Sequence, residues 1–173
     1  MIKNIKTEAF VLRKRNLPNQ DLIITLFSKE KGKLVIFGKG IKKITSRRLP
    51  HMQVGNLINV LIHHKENRFY VNESTLISGF SKIKGSEGKL PYFFFALFLA
   101  DRLLPQEQKE EGIYNELLRF FIELSEVNKF QISRLTQWMN KIMRLLGYIH
   151  KEKSYDELRA FIEDIIEEKL PSV

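Results

Sequence analysis

Between Gly79 and Gly88 the hydrophobic period of this chain changes, and that change limits the folds open to it more than any other feature. Before it, apolar residues alternate at every second position; after it, they recur at the spacing of helices. The first pattern needs a sheet with a covered face, and the second needs helices that bury a stripe. Gly79, Gly85 and Gly88, with Ser81 and Ser86 between them, mark the boundary. The expected class is α+β: a strand domain over residues 1–80 and an all-helical domain over residues 81–173. A chain of 173 residues is long enough to bury a real core.

Five strands are expected in the first part. Thr7 to Arg13 alternates Ala9 and Val11 with Phe10 and Leu12, and Asn16-Leu17-Pro18-Asn19 reads as a turn. Asp21 to Ser28 is the second strand, and Lys29-Glu30-Lys31-Gly32 leads by a tight hairpin into the third. That third strand sets Leu34 and Ile36 against Val35 and Phe37. After a long excursion punctuated by Pro50 and Gly55, Leu57 to Ile62 and Arg68 to Val71 complete the set. His63-His64-Lys65-Glu66-Asn67 is read as the hairpin between them. Five short strands with one long connection suit a small barrel, of either OB or SH3-like geometry.

The long connection carries the main chemical signal. Lys39, Lys42, Lys43, Arg47 and Arg48 fall within ten residues that contain no acid. Such crowding repels itself unless a polyanion neutralises it; a solvated basic loop is the plain alternative. Arg13, Lys14, Arg15 and Lys33 flank the loop, and Phe37 offers a ring on which a base could stack. The imbalance is regional. Residues 1–70 hold 15 Lys or Arg against 4 Asp or Glu, whereas residues 71–173 hold 14 against 16. A basic first half points to nucleic acid as its partner.

Four helices are expected next. Lys89 to Leu104 carries Phe93, Phe94, Phe95, Leu97, Phe98 and Leu99, apolar nearly all round, and Pro105 stops it. Ile113 to Val127 and Ile132 to Leu146 each bear one apolar stripe, the latter closed by Gly147 as a left-handed cap. The last opens with Ser154-Tyr155-Asp156-Glu157, a capping box. The apolar run from Leu90 to Ala100 is too short to span a bilayer, and no leader is expected at Met1-Ile2-Lys3, so a cytoplasmic protein with no membrane partner is anticipated.

Zero cysteines exclude disulfides, thiolate catalysis and cysteine zinc sites. His51, His63, His64 and His150 lack ligand spacing, so no metal or other cofactor is expected. Neither a phosphate-cradling glycine loop nor a nucleophile–base arrangement is visible, and the chain is not read as an enzyme.

An ordered series of short motifs resembles the RecO family of bacterial recombination mediators. It runs from Ala9-Phe10-Val11-Leu12 and Asp21-Leu22-Ile23 through Phe27-Ser28-Lys29-Glu30-Lys31-Gly32. Gly38-Lys39-Gly40-Ile41-Lys42-Lys43, Ser46-Arg47 and Leu49-Pro50 follow. In the helical part come Tyr92-Phe93, Leu103-Leu104-Pro105, Ile113-Tyr114-Asn115-Glu116-Leu117-Leu118 and Leu145-Leu146-Gly147-Tyr148. The resemblance implies an amino-terminal OB-fold barrel, a carboxy-terminal helical domain, and a nucleoid-associated protein that binds single- and double-stranded DNA. It further implies annealing of complementary strands, loading of recombinase at gaps coated by single-strand-binding protein, and a RecR-type partner. The helical domain of such proteins receives the acidic carboxy-terminal tail of single-strand-binding protein. Arg102, Arg119, Lys141 and Arg144 are the candidate cations for that contact.

Two features depart from the family. Many members carry a four-cysteine zinc module after the Gly-Tyr position, whereas here His150-Lys151-Glu152-Lys153 leads directly into the final helix, which makes this a short form. The acidic residue expected ahead of the second strand is replaced by Asn19-Gln20. Two rival readings remain: an RNA-binding OB protein of translation or ribosome assembly, and a scaffold that works only through protein partners.

Overall fold

A computed structural model describes residues 3–43 and 45–173; Met1 and Ile2 of the leader reading, and Ile44 of the basic stretch, lie outside the described residues. Two compact units result, one of Met1–Phe80 with Leu104–Glu111, the other of Ser81–Leu103 with Gly112–Val173.

Among the described residues, the first unit has five strands: β1 Lys3–Asn16, β2 Leu22–Ser28, β3 Gly32–Gly38, β4 Leu57–Lys65 and β5 Arg68–Ser78. They close in the order β1-β2-β3-β5-β4, with β4 returning to β1. All pairings are antiparallel except β3 with β5. This is the OB barrel, which settles the choice against the SH3-like geometry.

β1 is twice the expected length because it serves two partners. Lys3 to Phe10 pairs with β4, Ala9 to Asn16 pairs with β2, and a bulge between Val11 and Arg13 bends the strand from one to the other. β4 runs on through His63 and His64, so the hairpin tightens to Glu66-Asn67, both left-handed at φ 51° and 58°. β5 likewise continues well beyond Val71.

The alternation decides what lies inside. Ala9, Val11, Ile24, Leu26, Leu34, Ile36, Ile58, Val60 and Ile62 fill the barrel, each almost wholly excluded from solvent. At about 1.5–3 kcal/mol per large side chain, this burial is the main driving term of the unit. Two further plugs come from the long connection: Ile41, and Met52 of a 3-10 turn at Leu49–Met52.

The segment Leu104–Glu111, which the sequence reading puts with the helices, lies against the barrel. Gln106 bridges Lys33 in parallel, and the Glu107 amide donates to the Lys33 carbonyl at 2.9 Å. β3 meets β5 only at Ile36 and Phe37, so this strap covers the part of its edge that β5 leaves open.

In the second unit, a short helix α1 at Ser81–Lys84 occupies the expected linker and buries Ile83. α2 Leu90–Leu103, α3 Glu111–Glu126, α4 Ile132–Leu145 and α5 Tyr155–Ile166 follow. Phe93, Phe95, Leu97 and Leu99 of α2 are buried, but Phe94 of the same cluster is 47% exposed. Phe93 packs on Phe121 with ring centroids 4.5 Å apart, and Phe120 stacks on Trp138 at 4.7 Å. At the end of α4, Gly147 adopts φ 79° while Tyr148 and Gly147 amides donate to the Met143 and Arg144 carbonyls, a Schellman cap. Both halves of the capping box at Ser154 and Glu157 are formed. The buried Asn140 side chain donates to the Lys153 carbonyl and accepts from its amide, fixing the short connection between α4 and α5. No helix among the described residues is long and apolar enough to cross a membrane.

Candidate nucleic-acid interface

The basic loop is anchored at three points. Ile41 is buried in the barrel, the Gly40 amide donates to Asp21 Oδ1 at 2.6 Å, and the Lys42 amide donates to the Gln20 carbonyl at 3.1 Å. Gly40 has φ 57°, a backbone state that glycine adopts without a Cβ clash. With Ile41 seated inward, Lys39 and Lys43 on either side of it are exposed.

The five loop cations divide by what they touch. Lys39, Lys43 and Arg47 are exposed. Arg48 is half-buried and donates to the Val71 carbonyl at 3.0 Å and the Lys39 carbonyl at 3.2 Å, tying the loop to β5. Lys42 is also half-buried and reaches the Leu17 carbonyl at 3.4 Å. Arg13, Lys14 and Arg15 are exposed on β1, where Lys14 donates to Gln53 at 2.8 Å. Together with Ile23, Thr25 and Val35 they line a depression of about 190 Å³ on the outer face of β1, β2 and β3.

Lys33 corrects the expectation of a flanking cation. It is 8% exposed and lies under the strap, and it therefore does not belong to the accessible set. Nothing in the alternation of β3 predicts this, because the strap arrives from more than seventy residues away.

Phe37 is on the outside of the barrel. Following register from strand to strand, Arg15 faces Ile23, Ile23 faces Phe37, Phe37 faces Tyr70, Tyr70 faces His63, and His63 faces Asn4. Directly paired residues share a face, so these six form one outward row around the barrel. The Phe37 and Tyr70 rings stand 5.9 Å apart. Lys39 Nζ lies 5.1 Å from the Tyr70 ring centre, and the Arg68 guanidinium 5.6 Å from that of Phe37. Sequence reasoning missed Tyr70 and Arg68. The alternation in Arg68 to Val71 puts Tyr70 and Arg68 on a common face, but only the parallel β3–β5 step brings that face beside Phe37.

In the helical unit the four candidate cations are all ion-paired. Arg102 bonds Glu168 at 2.7 Å and Asp101 at 2.6 Å, and the Glu168 hydrogen bond leads in raising its pKa. Arg119 and Lys141 converge on Glu116, each at 2.8 Å, and Arg144 approaches Glu152 at 3.7 Å. The fold thus brings Arg119 and Lys141 together. No cluster of metal-ligating side chains is present among the described residues.

An OB barrel with an anchored cationic loop and an aromatic outer row, followed by an all-helical unit, defines the class of this protein. Comparison narrows it. Residues 1–80 match the family model for the recombination protein O amino-terminal domain. The chain is 27% identical over 145 residues to the DNA repair protein RecO of Thermoanaerobacter, covering 84% of this chain and 58% of that one. It is 28% identical over 148 residues to the RecO of Caldanaerobacter subterraneus, covering 84% and 59%. Against the RecO of Streptococcus gordonii the values are 25% over 150 residues, covering 77% and 56%. The first 80 residues are thus similar to that amino-terminal domain, and most of the chain is similar to these RecO proteins. It spans less than two thirds of the length of the relatives it matches.

Proposed function

We propose that this chain is a DNA-binding recombination mediator acting in DNA repair. The observation that carries the reading is the cationic loop: Lys39, Lys43 and Arg47 project from an OB barrel while Ile41 and Asp21 hold the backbone beneath them. An anchored loop presents its charges without the ordering cost a free loop would incur on binding. Lys42, Arg13, Lys14 and Arg15 extend the charged surface along β1. Phosphate neutralisation with counterion release is the binding term, and it acts on single and double strands alike.

Annealing follows from the same physics. Two strands repel through their phosphates, and a cationic surface that holds both lowers that repulsion without making or breaking a bond. The mediator role adds partners: a RecR-type protein, and single-strand-binding protein through its acidic tail. Arg119 and Lys141 are the favoured receptors for that tail, because both are exposed and converge on one carboxylate, Glu116, which leaves their outer faces open to a second. Arg144 lies in an exposed pair with Glu152, whereas Arg102 is held between Glu168 and the buried Asp101. Recombinase loading at gaps in the bacterial nucleoid is the outcome of these contacts.

The test is a competition among single-stranded DNA, duplex DNA and RNA of matched length, followed by annealing of complementary strands coated with single-strand-binding protein. The reading predicts binding to both DNA forms and faster annealing of coated strands. Preference for RNA, or binding without annealing, contradicts it.

A further inference from the structure

On the outside of the barrel, the row Phe37–Tyr70–His63–Asn4 floors a concavity of about 490 Å³ that Lys39 and Asn72 help to wall. Its size falls within the roughly 300–1,000 Å³ typical of sites for small organic groups. We propose that it holds one unpaired nucleotide of single-stranded DNA, its base against the Phe37–Tyr70 ring pair and its phosphate on Lys39. This rests on the reading that the barrel binds DNA, and it adds a base-binding site that adjoins the loop and shares Lys39 with it.

Four observations converge. First, two aromatic side chains stand outward and half-buried, though the inward positions of the same strands already complete the core through Ile36 and Val71. Second, the rings are tilted by 41° at 5.9 Å, so they form an open wedge rather than a closed stack. Third, cations stand at both rings: Lys39 near Tyr70 and Arg68 near Phe37. A base stacked on the rings therefore has positive charge available to its own phosphate, the pairing of features that single-strand sites use. Fourth, the floor has hydrogen-bonding groups to meet a base edge: His63 Nδ1 and Asn4 Oδ1 lie 3.0 Å apart, with Asn72 at the wall. Glu66 at the rim is paired with Lys65 at 3.4 Å, which leaves Lys39 as the phosphate side of the concavity.

The geometry separates DNA forms. In a duplex the base faces are covered by neighbouring base pairs, so ring stacking is open only to unpaired bases. The loop cations take phosphates of either form. The barrel thus has a form-blind loop and a single-strand-selective pocket, which suits a protein that must keep two strands unpaired until they meet.

The test uses the intact chain with an oligothymidylate and a duplex of equal length. In the Phe37→Leu/Tyr70→Leu variant, single-strand affinity should fall by about 5- to 140-fold per stacked base while duplex affinity and its salt dependence stay unchanged. On the unmutated chain, an oligonucleotide with abasic positions should lose the same factor, and the double variant should not distinguish it from the normal strand. Iodouracil substituted in the oligonucleotide should crosslink to the peptides holding Phe37 and Tyr70. Equal affinity for normal and abasic strands, or crosslinks confined to the loop, overturns the pocket while leaving the DNA-binding reading intact. An intact chain that binds neither DNA form in dilute buffer overturns both. The abasic and crosslinking arms need no mutation, so they decide the matter even if the double variant fails to fold.

Discussion

The Asp21 carboxylate accepts a hydrogen bond from the Gly40 amide at 2.6 Å. Because β2 begins at Leu22 and not at Asp21 as expected, this acid stands directly ahead of the strand and links it to the turn that carries the cations. An acidic group among cations proposed to bind phosphates looks counterproductive by charge alone. Its worth is geometric: it fixes the backbone from which Lys39 and Lys43 project.

Asp21→Ala therefore separates geometry from charge. Removing a negative charge should tighten DNA binding if Coulomb attraction alone matters. The anchoring role predicts the reverse, weaker binding together with a stability loss of about 1.5–3 kcal/mol, the usual worth of a hydrogen bond to a charged group. Denaturant unfolding and fluorescence anisotropy with a labelled oligonucleotide read the two effects. Tighter binding at unchanged stability would remove the anchor from the account.

The loop cations should split into two groups. Replacing Lys39, Lys43 and Arg47 together by Ala should reduce the salt slope for single strands by about 2, at roughly 0.7 per phosphate contact, and leave stability within about 0.5 kcal/mol. Arg48→Ala should act on the fold instead, because its guanidinium bonds the Val71 and Lys39 carbonyls. A loss of about 1–2 kcal/mol is expected there. Salt titrations and thermal melts of the two variants, run side by side, check the division.

Gly32→Ala tests the strap. Gly32 has φ 69°, and an added Cβ would sit 1.7 Å from the Gln108 carbonyl oxygen, a contact with backbone that no rotamer relieves. Positive-φ strain and the clash together should cost about 2 kcal/mol or more. Faster hydrogen exchange at the Glu107 amide is the specific sign, since that amide bonds Lys33 only while the strap is docked. A fragment ending at residue 80 lacks the strap altogether and should self-associate through the uncovered β3 edge.

The helical unit should weaken in acid. Glu157 is held below the ordinary carboxylate range, chiefly by the Ser154 amide; Glu163 by Lys169 and the Leu170 amide; Glu168 by Arg102. A folded-state pKa below the unfolded one stabilises at neutral pH, and the contribution disappears as pH falls from about 4.3 through the lower folded values. Thermal melts should therefore drop in temperature below about pH 4.5, and Glu157→Gln should flatten part of that drop. A melt independent of pH across that window contradicts these assignments.

How much of this was legible in the sequence follows from the range of each interaction. The alternation of β3, with Leu34 and Ile36 on one side and Val35 and Phe37 on the other, could be read because it is local; which side faces inward could not. So could the Gly147 cap and the Ser154 capping box, whose partners lie within five residues. The lengths of β1 and β5 could not, because their ends are polar and are held as strand only by partners distant in sequence. Lys33 was misplaced for a related reason: in local sequence it is an exposed cation, yet it is buried where the strap from residues 104–111 pairs with its backbone. The loop was found from its charge, but its division into exposed and bonded members depends on Val71, which lies twenty-three residues after Arg48. Tyr70 gives no signal of its own, since an alternating Phe-Tyr pair fits any half-buried strand; its role depends on the parallel step to Phe37.

The most direct measurement is the affinity of the intact chain for a single-stranded oligonucleotide across a series of salt concentrations. A cationic barrel surface predicts a straight line of log affinity against log salt, with a slope of about −2 or steeper from the three exposed loop cations and their neighbours on β1. Absence of binding in dilute buffer, or an affinity that does not change with salt, contradicts it.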